Sequence, residues 1–93
     1  MKEDVFERLH YHSGLVAQGC WSDLDDYDRE AIKRFGDLVV KECVDELRQE
    51  WYELNNTESE VLGDARAIAI LVGQKNGLLK AISRVKKHFG NEE

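Results

Sequence analysis

Apolar residues in the middle of this chain recur at intervals of three and four, the spacing that places side chains on one face of an α-helix. The pattern predicts a helix over about residues 27–54. Aspartates gather at its start, where the positive end of the helix dipole favours carboxylates, and Ser22 or Asp26 can serve as its N-cap. Its apolar stripe comprises Ala31, Ile32, Phe35, Leu38, Val39, Cys43, Leu47, Trp51 and Leu54.

A second long helix is expected over about residues 58–89. The asparagines at 55–56 should end the preceding helix, and Thr57 to Glu60 match the capping box, in which two side chains accept hydrogen bonds from backbone amides at a helix start. Residues 73–77 contain two glycines and leave open a turn between two shorter helices. The apolar register continues across this segment, however, and favours one continuous helix.

A shorter helix is expected over residues 3–18, with Val5, Leu9, His12 and Val16 on one stripe and Gly19 at its end. Because only two or three residues would separate the long helices, they should pack as antiparallel neighbours. The expected fold is therefore all-α: a short N-terminal helix and a long antiparallel helical hairpin, in a single domain over residues 1–93.

Small residues spaced four apart form a row along the last helix, and such a row lets another helix approach closely. The row consists of Ala65, Ala69, Gly73, Gly77 and Ala81. A hairpin folded about residue 56 would set it opposite Leu47, Cys43, Val39, Phe35 and Ala31. A four-residue repeat drifts around a helix, and residues 67–72 are apolar on nearly every side. We therefore expect a homodimer, or a larger assembly, that also uses the row, together with Ile68 and Val72.

Composition agrees with a folded helical protein: of 93 residues, 42% are hydrophobic and 34% charged, and proline, which ends helices, is absent. The longest uncharged apolar stretch, at 67–72, is too short to cross a bilayer, and the acidic N-terminus carries no apolar signal region. Cys20 and Cys43 do not make a disulfide framework. These features predict a cytoplasmic protein without a membrane partner.

Charge is distributed unevenly along the chain, whose net charge is −6. Residues 1–64 contain seven basic and seventeen acidic residues, whereas residues 65–91 contain six basic residues and no acid. The basic residues of the last helix, with His88, could contact phosphate. The favoured interpretation is that Arg84 and Lys86 pair across the hairpin with Asp28 and Asp26. Because the whole chain is acidic, we do not expect direct nucleic-acid binding.

Clusters that could carry chemistry have simpler explanations. The acids Asp23, Asp25, Asp26 and Asp28 lack the glycine and the final acid of a calcium loop, so helix capping accounts for them better. His10, His12 and Cys20 lack metal-ligand spacing, so no metal or cofactor is expected. One enzymatic alternative remains: all-α nucleotide pyrophosphatases hold magnesium with acids on two adjacent helices, a role open here to Glu42, Asp45, Glu46, Glu50, Glu60 and Asp64.

Residues 19–47, especially Gly19-Cys20-Trp21 and the run from Arg34 to Cys43, resemble a segment that recurs in small proteins of tailed bacteriophages, commonly Phe-Ala-Glu-Leu-Ile-Val-Arg-Glu-Cys. The resemblance implies a phage-encoded accessory protein that acts in the cytoplasm of an infected bacterium, and it brings no catalytic residue. We therefore expect a non-catalytic protein-binding module that inhibits or modulates a host defence or regulatory protein. Its surface at Asp23, Asp25, Asp26 and Asp28 could imitate nucleic acid. The alternatives are a virion structural or assembly component and the magnesium-dependent hydrolase.

Overall fold

Three α-helices form most of the chain, whose computed structural model describes residues 1–90. They are α1 (Glu3–His12), α2 (Asp26–Glu60) and α3 (Ala65–Phe89), with a short 3-10 turn at Ala17–Gly19. Helices α2 and α3 pack against each other, and the molecule measures 62 × 21 × 19 Å. The expected all-α helical hairpin is confirmed, and no strand occurs within these residues.

Helix α1 ends earlier than the sequence pattern predicts. It stops at His12, and the chain then takes left-handed backbone conformations at Gly14 (φ 85°), Gln18 (φ 55°) and Gly19 (φ 76°). The Ser13 hydroxyl donates to the carbonyl of His10 at 2.7 Å, which helps to close the last turn. Because these conformations cannot continue a helix, the expected helix over residues 3–18 is wrong beyond residue 12.

Helix α2 begins with an aspartate cap. The carboxylate of Asp25 accepts a hydrogen bond from the Asp28 amide at 2.7 Å, and the Asp26 carboxylate lies 3.0 Å from Arg29 Nη2. The capping residue is therefore neither Ser22 nor Asp26, the two predicted candidates, although an aspartate does stabilise the positive end of the helix.

The hairpin turn lies six to seven residues later than the sequence predicts. Helix α2 continues through the two asparagines to Glu60, and the Thr57 hydroxyl donates at 3.0 Å to the carbonyl of Glu53 within the same helix. The chain reverses at residues 61–64, where Gly63 has φ 99° and the Asp64 carboxylate caps α3 by accepting from the Ala67 amide at 3.1 Å. The predicted capping box at 57–60 is therefore wrong.

Helix α3 is continuous through residues 73–77, as the apolar register predicts. It is capped by Gly90, which has φ 77° and whose amide donates a hydrogen bond to the Lys86 carbonyl at 2.8 Å, making a left-handed C-cap. The backbone of Lys2 lies against this cap: its amide donates to the Phe89 carbonyl at 2.6 Å, and a Cβ on Gly90 would lie 2.8 Å from Lys2 Cγ. The N-terminal segment is thus attached to the end of α3.

The later turn changes which residues face each other. The buried side chains of the hairpin are Val40 and Val44 on α2 and Leu71 and Ile82 on α3. A fold about residue 56 would place Lys75 beside residue 37, but its ammonium lies beside α2 residues 51–58 instead. The register between α2 and α3, which decides the buried residues, therefore differs from the one that the sequence pattern predicts.

The predicted pairing of the small row with Ala31, Phe35, Val39, Cys43 and Leu47 is wrong. All five small residues, Ala65, Ala69, Gly73, Gly77 and Ala81, are exposed. A Cβ built on Gly73 or Gly77 would meet no atom within 4 Å, and on the α2 side Phe35 is 68% exposed. The row lies on the surface of the hairpin and leaves room for another molecule.

A lysine joins the two long helices near the turn. The ammonium of Lys75 lies 2.5 Å from Glu58 Oε2 and 3.0 Å from Asn55 Oδ1, and 5.4 Å from the centre of the Trp51 ring. The side chains of Lys75 and Glu58 are only 15% and 27% exposed, so this is a partly buried ion pair. We call this group of four residues the lysine lock.

Candidate functional site

Helix α3 presents a nearly uncharged stripe to solvent. Ile70, Gly73, Gly77 and Ala81 are spaced three and four apart, which places them on one side of the helix, away from the buried Leu71. All four are exposed, and Ile70 is 56% exposed. We call this set the outer stripe. It contains three of the seven predicted interface residues.

The other predicted interface residues lie around the outer stripe. Ala65, Ala69 and Val72 are exposed on α3, and Val72 is 39% exposed, whereas Ile68 is half-buried. Their role in an oligomer stays a prediction. Six of the seven predicted interface residues, all except Ile68, are therefore exposed where a second molecule can reach them.

Helix α2 also carries exposed apolar side chains. Phe35, Leu38 and Val39 are 68%, 59% and 46% exposed, and the thiol-bearing Cys43 is exposed one turn further along. Phe35, Val39 and Cys43 are four residues apart and therefore lie along one side of the helix. Both long helices thus leave apolar groups in water.

The molecule has a thin core for its size. Among residues 1–90, five hydrophobic side chains are buried, while twelve large ones are exposed. Its accessible surface is 7011 Å², compared with about 5,500 Å² expected for a compact protein of this mass. Its radius of gyration is 18.9 Å, compared with about 12 Å for a compact domain of this length. The excess surface comes from an elongated hairpin with little to cover its sides.

The predicted acidic surface lies at the start of α2. Asp23, Asp25, Asp26 and Asp28 are all exposed. Asp25 caps the helix and Asp26 pairs with Arg29, whereas the carboxylates of Asp23 and Asp28 take part in no ion pair within residues 1–90. Two of the four acids therefore stabilise the helix start, and two are available to a basic partner.

Basic residues line a shallow hollow of about 570 Å³ at the end of α3. Its lining is Lys2, Lys80, Ser83, Arg84, Lys87 and His88. Among the described residues, Arg84 and Lys86 form no ion pair with Asp26 or Asp28, so the predicted charge pairing across the hairpin is wrong. The later turn places α3 out of register with the start of α2, which explains the difference.

Helix α1 contributes an aromatic cluster. The rings of Phe6 and His10 stack with centroids 5.3 Å apart. The Trp21 ring contacts both, with its centroid 5.9 Å from that of Phe6 and 4.2 Å from that of His10. Their spacing on α1, four residues, places Phe6 and His10 on one side of the helix. A pocket of about 620 Å³ lies beside this cluster, between α1 and α2.

The acids considered for magnesium binding do not lie on two facing helices. Glu60 is the last residue of α2 and Asp64 caps α3, and α3 itself contains no acidic residue. Asp45 pairs with Lys41 and Arg48. In the described part of the chain, no three His, Cys, Asp or Glu side chains gather as a metal site would require, and His10 belongs to the aromatic cluster.

No protein-family model matches this chain, and neither a curated protein nor a solved structure is similar to it. Within residues 1–90, no helix is both long enough and apolar enough to pass through a bilayer. Its function must therefore be argued from its own surfaces.

Two features of these surfaces were missed by the sequence analysis. The lysine lock has a signal in the sequence: Leu71, Lys75, Leu78 and Ile82 are spaced as one helix face, so a lysine occupies an otherwise apolar position. The aromatic cluster has a weaker signal, the four-residue spacing of Phe6 and His10, and nothing in the pattern indicates that Trp21 joins them.

Proposed function

We propose that this chain is a non-catalytic protein-binding module that self-associates as a homodimer and modulates or inhibits a host protein. The observation that carries the proposal is the distribution of apolar side chains in the part of the chain that the structure describes: five are buried, and twelve large ones, on all three helices and the connecting segments, are exposed. Proteins that expose large apolar areas commonly use them in protein interfaces. The resemblance of residues 19–47 to tailed-phage proteins supports a phage origin and action in the bacterial cytoplasm.

A second copy of the chain is the occupant that best suits the outer stripe. The stripe carries no charge, and its two glycines and Ala81 allow a helix backbone to approach closely. The same stripe on another copy would supply Ile70 to fill that space. A standard interface buries about 800 Å² on each partner, which is well within the excess accessible surface of this hairpin.

Self-association is tested by light scattering on the purified chain, with Gly73 and Gly77 both replaced by leucine. We expect the unaltered chain to have the mass of two copies and the leucine variant to have the mass of one, because leucine fills the space that the partner backbone needs. The matched control replaces the same glycines with alanine, which keeps the stripe narrow, and should remain dimeric. An unaltered chain with the mass of one copy, or a leucine variant that stays dimeric, contradicts the proposal.

The acidic start of α2 is the surface proposed for the host partner. Asp23 and Asp28 are exposed and have no ion-pair partner in the described residues, and residues 1–64 carry ten more acidic than basic residues. Such a surface attracts a basic cleft of the kind that binds nucleic acid. The change Asp23→Asn with Asp28→Asn removes two charges and leaves the Asp25 cap in place.

Capture of partners from infected bacterial cells tests this surface. We expect the unaltered chain to capture a basic protein at low salt and nucleic acid to displace that protein. The asparagine variant should retain it poorly. A control variant with Glu50→Gln and Glu53→Gln removes equal charge elsewhere on α2 and should retain the protein. Recovery of the chain in purified virions as assemblies larger than a dimer, or magnesium-dependent release of pyrophosphate from nucleotides, would instead favour the alternatives.

A further inference from the structure

The pocket between α1 and α2 has walls from two helix faces, from Met1 and from one loop residue. Glu3, Phe6, Glu7 and His10 line it from α1 at helical spacing, and Trp21 lies at one end. From α2 it is lined by Glu30, Lys33 and Asp37, again at helical spacing. Its volume of about 620 Å³ is within the range of ligand pockets in proteins.

One wall of the pocket is aromatic and already lies near a cation. The ammonium of Lys33 lies 5.6 Å from the centre of the Phe6 ring, and Phe6 in turn stacks on His10. The faces of aromatic rings attract cations, with Trp the strongest of the side chains. This wall therefore favours a positively charged ligand over a neutral one.

The charges of the pocket also favour a cation. Its four carboxylates face two positive groups: the Met1 amine, which lies 2.7 Å from Asp37 Oδ1, and Lys33, whose ammonium lies 3.8 Å from Glu30 Oε1. Within residues 1–90, Glu3 and Glu7 form no ion pair. The pocket thus has two more negative than positive groups.

A buried nitrogen in the aromatic wall lacks a hydrogen-bond partner. His10 Nε2 is inaccessible to solvent and no group of the described chain bonds to it. A buried polar atom left without a partner costs free energy, and in the tautomer protonated at Nδ1 this nitrogen is an acceptor. A ligand with several N–H donors that shifts the neighbouring Trp21 ring would satisfy it.

We propose that this pocket binds the guanidinium group of an arginine side chain from a partner protein. A guanidinium is the cation that matches all three observations: it stacks flat on aromatic rings, carries five N–H donors, and pairs with carboxylates. Lys33 occupies part of the site and competes with the incoming charge. The inference rests on the proposed protein-binding function and names the side chain that this chain would capture.

The test is a titration of the unaltered chain with N-acetyl-argininamide, followed by the two indole N–H signals in the NMR spectrum. The signal of Trp21, assigned with a Trp21→Phe variant, should shift with saturation, whereas the signal of Trp51, in the hairpin, should stay in place. N-acetyl-citrullinamide has nearly the same shape without the charge, and we expect it to bind at least about tenfold more weakly. Equal binding of the two compounds, or no saturable shift of Trp21, overturns the proposal.

Two variants that each remove one charge from the pocket should change the affinity for the arginine compound in opposite directions. Glu7→Gln should weaken binding of the arginine compound by about tenfold, and Lys33→Gln should strengthen it by several-fold, because it removes the competing ammonium. Glu42→Gln, on an exposed part of α2, should have no effect. If Lys33→Gln weakens binding, the pocket is not a cation site. The readout of these titrations depends on neither self-association nor a host protein, so their failure leaves the proposed function to its own tests.

Discussion

Replacement of Lys75 with methionine should lower the free energy of unfolding of the hairpin by much more than the replacement of an exposed lysine does. The variant removes the charge-assisted hydrogen bond to Glu58, worth about 1.5–3 kcal/mol, and the cation–π contact with Trp51, worth about 0.5–2 kcal/mol. Methionine retains most of the apolar stem, so its packing against α2 is largely preserved. We expect a loss of about 2–3 kcal/mol, a large part of the roughly 5–14 kcal/mol typical of a domain of this length.

The assay is urea unfolding monitored by helical circular dichroism, with all variants at one protein concentration because self-association raises apparent stability. The control is Lys41→Met, which removes an exposed ion pair of similar chemistry. Lys41 Nζ lies 3.3 Å from Asp45 Oδ2, and the two side chains are 63% and 45% exposed. Exposed pairs contribute little, so we expect a change of no more than about 0.5 kcal/mol there. In thermal unfolding, the Lys75 variant should melt about 10 °C or more below the unaltered chain.

A double-mutant cycle separates the ion pair from other effects of the change. Combining Lys75→Met with Glu58→Gln should cost less than the sum of the two single changes, with a coupling energy of about 1–2 kcal/mol. If Lys75→Met and Lys41→Met are equally mild, the burial of the lysine lock has no energetic consequence and the reasoning is refuted.

The caps and turns give three further predictions. Asp64→Ala should cost about 1 kcal/mol by urea unfolding, and Thr57→Ala less than about 0.5, because Asp64 caps α3 whereas Thr57 lies inside α2. The reverse order would restore the predicted capping box. Gly63→Ala should cost about 1–2 kcal/mol at its positive φ, whereas Gly73→Ala, in an open helical position, should stabilise by about 0.5–1. Gly90→Ala should lower the melting temperature and expose the Lys2 amide to hydrogen exchange, and unchanged protection there would show that the close contact is dispensable.

The helical nature of the chain could be predicted, but the position of the hairpin turn could not. Two signals for a helix start compete between residues 55 and 64, and the local pattern at Thr57 is the more familiar one. What decides between them is tertiary: Asn55 and Glu58 bond to Lys75 on α3, which holds this segment in the helix. A contact between residues 17 or more apart is not visible in a local pattern.

The choice of core face failed for a related reason. Val39 and Val40 are adjacent, so the first half of α2 offers two apolar faces, and only the pairing with α3 decides which is buried. The six- to seven-residue error in the position of the turn shifted the predicted pairing of α2 with α3. It therefore placed Val39 in the predicted core, where the structure has Val40. The pocket could not be predicted either, since its walls combine α1 with the early part of α2, and a sequence pattern alone does not orient these two helices relative to each other.

The separations of the contacts described above suggest an order of folding. The lysine lock closes a loop of 17 residues, whereas the Met1–Asp37 pair closes one of 36, and the amide of Lys2 reaches the far end of α3. Because the entropy lost on closing a loop grows with its length, the α2–α3 contacts should form first near the turn and then extend away from it. Helix α1 should pack against the hairpin last. Opening under native conditions should run in reverse, so the pocket between α1 and α2 should be the first part of the molecule to open. A ligand bound there should slow the hydrogen exchange of α1 amides and leave the exchange of amides near the turn unchanged.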